Sequence, residues 1–331
     1  MNKQPELNTL SKNDRIDHYL LIRRIELRST RSGNDFLSLE LGDKSTSMNA
    51  NLWEGFANIV SKGKVGDVLK VSGTLEEYQN AIQIRVTSAH LATESDDVSP
   101  RDFLPQSKRD LKIMQDEFKK KIKNISNKFL KELLSQIFSG ERFTLFTNAP
   151  AGKSWHHAYI HGLMEHTLEI VKICELMCEF HPELNKDLLV AGAMLHDIGK
   201  IEELSFEVAF DYTDKGKLVG HIVIASNLVR DEIKKISGFP PELEYNLIHL
   251  ILSHQGKLEH ASPVVPKTAE AITLYQADEL SAKVNAYKNV LESELKPGSN
   301  WTRFIQLADT DLYKSNLSNS SDGSANKSLF D

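Results

Sequence analysis

Six side chains of the types that bind divalent metals recur among apolar residues in the second half of a 331-residue chain: His166, His196, Asp197, His221, His254 and Asp278. His166 shares a helical face with Leu163, Ile170 and Met177, and His196 and Asp197 close the apolar run LLVAGAMLHDIGK. His221 falls with Ile224, Ala225 and Leu228, His254 prolongs the stripe of Leu247, Leu250 and Ile251, and Asp278 lies inside AITLYQADELSAKV. All six therefore point toward a core. One such residue alone is more often a hydrogen-bonded core residue than a ligand. Six of them, buried without a cation, would leave large desolvation penalties uncompensated, which a bound metal removes. Imidazole nitrogen mixed with carboxylate oxygen suits borderline divalent ions such as manganese, iron, cobalt, nickel or zinc. The two cysteines, Cys174 and Cys178, read as small buried thiols and not as a disulfide framework or thiolate cluster, which argues against structural zinc.

The adjacent His196-Asp197 pair is the sharpest local signal. Near a helix end, with Gly199 expected to permit a sharp exit, it can place two donors on one ion or one on each of two. A carboxylate bridging two ions would activate water for phosphoester hydrolysis while the ions offset charge on the phosphoryl oxygens. Lys200 offers a cation for a scissile phosphate, although a lysine at a helix C-terminus is equally explained by the helix dipole. Gly152-Lys153-Ser154 imitates the end of a phosphate-binding loop, but the place of its first glycine is taken by Thr147 and no strand precedes it.

These donors need a helical frame, and the chain from Phe143 to Lys314 reads as helix after helix, with at most a short hairpin at Phe206 to Leu218. Before it the grammar differs. Apolar and polar residues alternate from Asp17 to Ala92, giving strands near 17–28, 35–41, 46–52, 67–75 and 80–91 with a short helix near 53–62, which is the order of an OB-fold. The length exceeds what one core usually holds. The expected fold is thus multi-domain, a small all-β OB-fold barrel followed by an all-α domain. It is laid out as an N-terminal extension (1–14), the barrel (15–92), a linker (93–107), connecting amphipathic helices (108–142), the helical domain (143–314) and a Ser- and Asn-rich disordered tail (315–331). Residues 99–140 carry ten Lys and Arg against five acids inside a chain of net charge −6, explained equally by a solvated helix face or by phosphate contacts.

The series His166, HDIGK (196–200), His221, His254 and Asp278 resembles the HD superfamily of metal-dependent phosphohydrolases over about residues 150–290. With a barrel ahead of it and the stretches HHAYIHGLMEHT (156–167) and SHQGKLEHASP (253–263), the chain is similar to YhaM-type 3′→5′ exoribonucleases. The resemblance implies an HD domain holding one or two divalent ions, typically Mn2+, and release of 5′-mononucleotides from the 3′ ends of single-stranded RNA or DNA. By position, His166, His196, Asp197 and Asp278 match the core ligand set, and His221 and His254 match the additional histidines of a second ion. Gln255 departs from the pattern, since similar sequences often carry a second histidine there, so no metal contact is carried over to that position. His156 and His157 precede the first ligand and are assigned to substrate.

If Leu37, Leu39, Leu41, Ile82, Ile84 and Val86 fill the barrel, then Phe36, Asn49, Asn51 and Arg85 face outward, where an OB surface stacks bases and tracks phosphates. Trp53 and Tyr78, at strand ends, read as core or rim. Residues 15–92 hold ten basic side chains against nine acids, so any grip on nucleic acid must come from charge placement. No stretch is long and apolar enough for a membrane span and the N-terminus lacks an apolar signal region, so the cytoplasm is expected. Homo-oligomerisation stays open, as do two rival functions: hydrolysis of free or cyclic nucleotides, and a nucleic-acid-binding regulator with a silent HD domain.

Overall fold

Alternating residues pair into five strands that close on themselves. In the computed structural model, which describes residues 4–30, 32–78, 81–296 and 298–317, these are β1 (Arg15–Ser29), β2 (Asp35–Gly42), β3 (Ser47–Leu52), β4 (Val68–Tyr78) and β5 (Ala81–Leu91), with α1 (Ala57–Lys62) between β3 and β4. The barrel runs β1-β2-β3-β5-β4, antiparallel except for the β3–β5 pair. This is the OB order. Leu20, Ile22, Leu37, Leu39, Leu69 and Ile84 are among the side chains that fill it. Closure needs a bulge at Ser72/Gly73, and a Cβ on Gly73 would lie 2.5 Å from the Arg85 carbonyl oxygen.

One expectation about the barrel fails. Ile82 is 36% exposed and not interior, because β1 stops pairing with β4 at Thr74 and the β4–β5 ribbon projects beyond it. Trp53 and Tyr78, expected as core or rim, are 49% and 59% exposed, which excludes the core.

The flanking segments fasten the barrel. Leu7, in a 3-10 turn (Leu7–Thr9), is fully buried among the barrel's apolar residues, and its amide donates to Asp43 Oδ2 at 2.7 Å. Residues 93–107, expected as a plain linker, form two capped 3-10 turns (Glu94–Asp96 and Pro100–Phe103). Phe103 and Leu104 enter the helical core together with Leu21 and Val68 of the barrel. Tyr19 donates its hydroxyl to Asp96 Oδ1 at 2.7 Å, and Arg23 donates to the Phe103 carbonyl at 3.0 Å.

The basic amphipathic stretch is two helices, α2 (Leu111–Asn124) and α3 (Lys128–Ile137), capped by Asp110 and Asn127. Then come α4 (Gly140–Asn148), α5 (Gly162–Phe180), α6 (Lys186–Leu195) and α7 (Lys200–Glu203). The expected hairpin is two residues per strand, β6 (Leu204–Ser205) with β7 (Asp211–Tyr212). The chain ends its helical part with α8 (Asp214–Val219), α9 (His221–Ile233), α10 (Pro241–Ser253) and α11 (Ala269–Ser293). Helix does not continue to residue 314: the bridges Leu295–Thr302, Trp301–Tyr313 and Ile305–Thr310 take over, in a stretch whose aromatic and β-branched residues favour extended pairing. The expected disordered tail lies, from residue 318 onward, outside the described residues. Among the described residues no helix is long and apolar enough to cross a membrane.

Leu7→Ala should lower stability by about 2–5 kcal/mol, the range for deleting a fully buried leucine side chain. Urea unfolding followed by far-UV circular dichroism would show it; an unchanged curve would mean that Leu7 is not part of the barrel core.

Candidate metal centre

Five segments bring the predicted donors together. His166 lies in the second turn of α5, and His196 caps the C-terminus of α6 with Asp197 in the turn beyond it. His221 opens α9, His254 caps the C-terminus of α10, and Asp278 lies within α11. Asp197 is the hub. Its Oδ2 lies 3.2 Å from His196 Nε2 and 3.7 Å from His166 Nε2; its Oδ1 lies 3.4 Å from His221 Nε2 and 3.6 Å from His254 Nε2. Asp278 Oδ1 is 3.0 Å from His166 Nε2. The result is two three-residue groups, His166–His196–Asp197 and Asp197–His221–His254, sharing one carboxylate.

Each imidazole is held in one tautomer by what its other nitrogen does. His196 Nδ1 donates to the Ala193 carbonyl at 2.8 Å and His254 Nδ1 to the Ile251 carbonyl at 2.6 Å. His221 Nδ1 donates to Glu203 Oε1 at 2.9 Å, and the same oxygen takes the His221 amide at 2.9 Å. His166 Nδ1 donates to Ser281 Oγ at 3.0 Å, whose hydroxyl proton goes to Glu169 Oε2 at 2.7 Å. In the neutral rings all four Nε2 atoms are therefore lone-pair nitrogens aimed at the carboxylates.

The electrostatics favour added positive charge. Burial pushes His166 well below its ordinary pKa and His254 down to about 4, which leaves both neutral at pH 7. At His196 burial acts in the same direction, but the negative charge of Asp197 outweighs it and raises the pKa. At Asp197 burial opposes ionisation, and Lys200 and His196 overcome it, so the group is held well below the usual carboxylate range. His166 Nε2, His196 Nε2, Asp197 Oδ1 and His221 Nε2 are buried without a hydrogen-bond partner, at a cost of about 1–3 kcal/mol each if nothing satisfied them. A divalent ion would. Ligands at about 2.1 Å from a tetrahedral ion lie about 3.4 Å apart, and the separations of 3.2–3.7 Å around Asp197 suit that spacing. The residues present fit divalent metal.

Lys200, named from sequence as a phosphate contact, is buried with Nζ 2.6 Å from Asp197 Oδ2. His156 sits 5.1 Å, ring to ring, from His166 with both nitrogens unpartnered, and burial followed by the nearby Lys200 charge keeps it neutral. His157 is a correction. Its side chain is fully buried behind His166, with ring centroids 5.0 Å apart and Nε2 3.2 Å from Glu169 Oε2, so it packs against the centre and is not open to substrate from solvent. Gly199 is another: its φ of −63° is ordinary helical backbone, not a sharp exit. A Cβ there would lie 2.1 Å from the His221 carbonyl oxygen, so glycine is needed to let α9 approach. Glu203, Ser281 and Glu169 were not identified from sequence. Each acts across helices, and nothing in its local spacing marks it.

The barrel candidates form a separate group. Asn51 pairs with Ser38 on one side and Arg85 on the other, and Asn49 Oδ1 accepts from Arg24 Nη2 at 3.3 Å. Phe36 stacks on the exposed Trp53, centroids 4.6 Å apart and planes at 24°. Trp53 is thus a further candidate for base stacking, signalled in sequence only by its place one residue after β3.

Comparison with known proteins agrees with this anatomy. The HD domain family matches residues 163–283, and the family described as OB-fold nucleic acid binding domain matches residues 21–92. The class is therefore an OB-fold joined to an HD domain. Across almost its whole length the chain is 33% identical over 301 residues to the 3′-5′ exoribonuclease YhaM of Geobacillus sp. (strain WCH70), covering 91% of this chain and 92% of that one. It is 31% identical over 303 residues to the protein of that name in Bacillus subtilis (strain 168), covering 91% and 95%. The chain belongs to the YhaM family of 3′→5′ exoribonucleases.

Gly199→Ala should displace the start of α9 and weaken the ion on the His221 side by about tenfold or more, at an overpacking cost of about 1–3 kcal/mol. Calorimetric titration of Mn2+ tests this; wild-type affinity for every ion would show that α9 tolerates the added methyl group.

Proposed function

We propose that the chain is a metal-dependent 3′→5′ exoribonuclease that removes 5′-mononucleotides from single-stranded RNA and works with Mn2+ in the cytoplasm. The observation that carries this reading is the single buried carboxylate of Asp197 shared by two sets of inward-facing imidazole lone pairs. When bound there, divalent ions supply water activation and offset charge on the phosphoryl oxygens.

The chain's own residues do the rest. The Nδ1 hydrogen bonds of His166, His196, His221 and His254 fix ring orientation before any substrate arrives, so no reorganisation is needed at the moment of reaction. Lys200 holds a positive charge against Asp197 Oδ2, where it can also meet a phosphoryl oxygen. His156, neutral and unpartnered beside His166, is a hydrogen-bond donor for the same phosphate. On the barrel, Phe36 and Trp53 stack bases, with Asn49, Asn51 and Arg85 along the same outer face for the backbone. That aromatic pair, with Trp53 exposed, favours a polymer over a free or cyclic nucleotide as substrate, and the complete donor set favours an enzyme over a silent regulator.

Asp197→Asn should reduce hydrolysis of a 5′-labelled oligoribonucleotide by about a hundredfold or more, because an amide cannot bridge two cations as a carboxylate does. Mn2+ at about a hundred times its Kd should stabilise the wild type by about 2.7 kcal/mol in thermal unfolding and the variant much less. Wild-type turnover by folded Asp197→Asn protein would sink the proposed centre.

Leu21 and Val68 of the barrel belong to the helical core, so a point substitution tests the barrel more cleanly than its removal. Trp53→Ala should raise KM on a long single strand about fivefold to a hundredfold, the loss of one stacked base at about 1–3 kcal/mol, and leave a dinucleotide nearly unaffected. Equal effects on both lengths would mean that Trp53 does not feed substrate to the centre.

A further inference from the structure

Three of the four histidines present a buried, unpartnered Nε2 to the centre, namely His166, His196 and His221. The fourth does not. Gln255 donates its side-chain N–H to His254 Nε2 at 3.4 Å. Because His254 Nδ1 already donates to the Ile251 carbonyl, Nε2 carries the ring's lone pair, and the amide covers the electrons a metal would need.

The turn around Gln255 keeps it there. The Gly256 amide donates to the Ser253 carbonyl and the Lys257 amide to the Gln255 carbonyl, each at 2.9 Å. Gly256 has φ +75° and lies against Tyr275, where a Cβ would stand 2.3 Å from the ring, so the backbone is fixed from behind. The two halves of the centre also differ in their donors. The first has His166, His196 and Asp197, with Asp278 3.0 Å from His166; the second has His221 and His254 with only the shared carboxylate.

We propose that Gln255 sets the affinity of the second ion: its amide competes for the His254 lone pair, so the chain keeps one resident ion on the His166–His196 side and takes up the second, weaker one from solution. This inference rests on the two-ion reading given above. It makes the rate a function of free divalent metal over a range in which the first ion is already bound.

The test is calorimetric titration of Mn2+ into metal-stripped, full-length protein, comparing wild type with Gln255→Leu and Gln255→Glu, the tight ion serving as internal control of folding. Two classes of ion are expected in the wild type. Gln255→Leu, which removes the amide at similar size, should tighten the weaker ion about two- to tenfold, the range of one net hydrogen bond, and leave the tighter ion unchanged. Gln255→Glu, which adds an anionic oxygen, should tighten it by about tenfold or more. The concentration of Mn2+ giving half-maximal hydrolysis should fall in parallel. An unchanged weaker Kd in Gln255→Leu would overturn the proposal, and a weakened one would show that Gln255 is itself a ligand through its amide oxygen. A single class of ion in the wild type, unaltered by His221→Ala, would overturn the two-ion reading and this inference with it.

Discussion

An ionised carboxylate in a protein interior costs several kcal/mol unless charges and hydrogen bonds are brought to it, and Asp197 is such a group. Lys200, His196 and His166 converge on one of its oxygens, His221 and His254 on the other. Around these stands a layer that touches no carboxylate oxygen of Asp197. Glu203 orients His221, Ser281 and Glu169 orient His166, and the carbonyls of Ala193 and Ile251 orient His196 and His254. For two of the four histidines, His196 and His254, the support is a main-chain carbonyl one turn back in the same helix, so the helix end itself sets the tautomer. The other two must be delivered by helices that come close enough to touch.

That closeness depends on missing side chains. A Cβ on Gly192 would lie 2.6 Å from Leu250 Cδ2 and 3.2 Å from Leu250 Cβ, so an alanine there would force Leu250 of α10 to shift, and His254 ends α10. Gly199 performs the same service for α9, and a Cβ on Gly162 would lie 2.0 Å from the His157 carbonyl oxygen, which locks the 156–161 loop against the start of α5. His157 itself has φ +43°, a conformation a non-glycine residue adopts at some cost, and the hydrogen bond from its amide to Asn285 Oδ1 helps to hold it. The donor geometry is thus set by backbone-to-backbone distances of whole helices. Substitutions that touch no metal can displace a ligand.

Much of this was legible in the sequence, and the limits have physical causes. The inward direction of the six donors followed from their place on apolar helical stripes, and the barrel order followed from alternation with one intervening helix. Periodicity reports which face of an element is buried; it does not report what lies opposite. Glu203, Ser281 and Glu169 act across helix interfaces, and that is why they escaped notice. Ile82 misled for a related reason: it alternates correctly, but the barrel wall facing it has ended where β1 leaves β4. Gly199 was noticed for the wrong property, since glycine next to a helix end signals left-handed backbone as readily as close packing.

How the barrel meets the helical domain bears on how substrate could reach Asp197. The Thr93 amide, then the Tyr19 hydroxyl and the Thr93 hydroxyl, all donate to Asp96 and hold that carboxyl at about 2. A carboxyl lowered on folding adds stability above its unfolded pKa near 4 and loses it as pH falls toward the folded value, so this latch is constant through the neutral range. Leu21, Val68, Phe103 and Leu104 make the rest of the junction apolar. A junction of this kind transmits position, not charge. The barrel has almost balanced charge, so on the proposed reading a strand would be held there by stacking at Phe36 and Trp53 more than by counterion release, and stacking accepts any base. On that reading a fixed barrel would hold a strand whatever its sequence, and selectivity would fall to the centre, where the ions held by the shared carboxylate would meet the terminal phosphodiester of any strand.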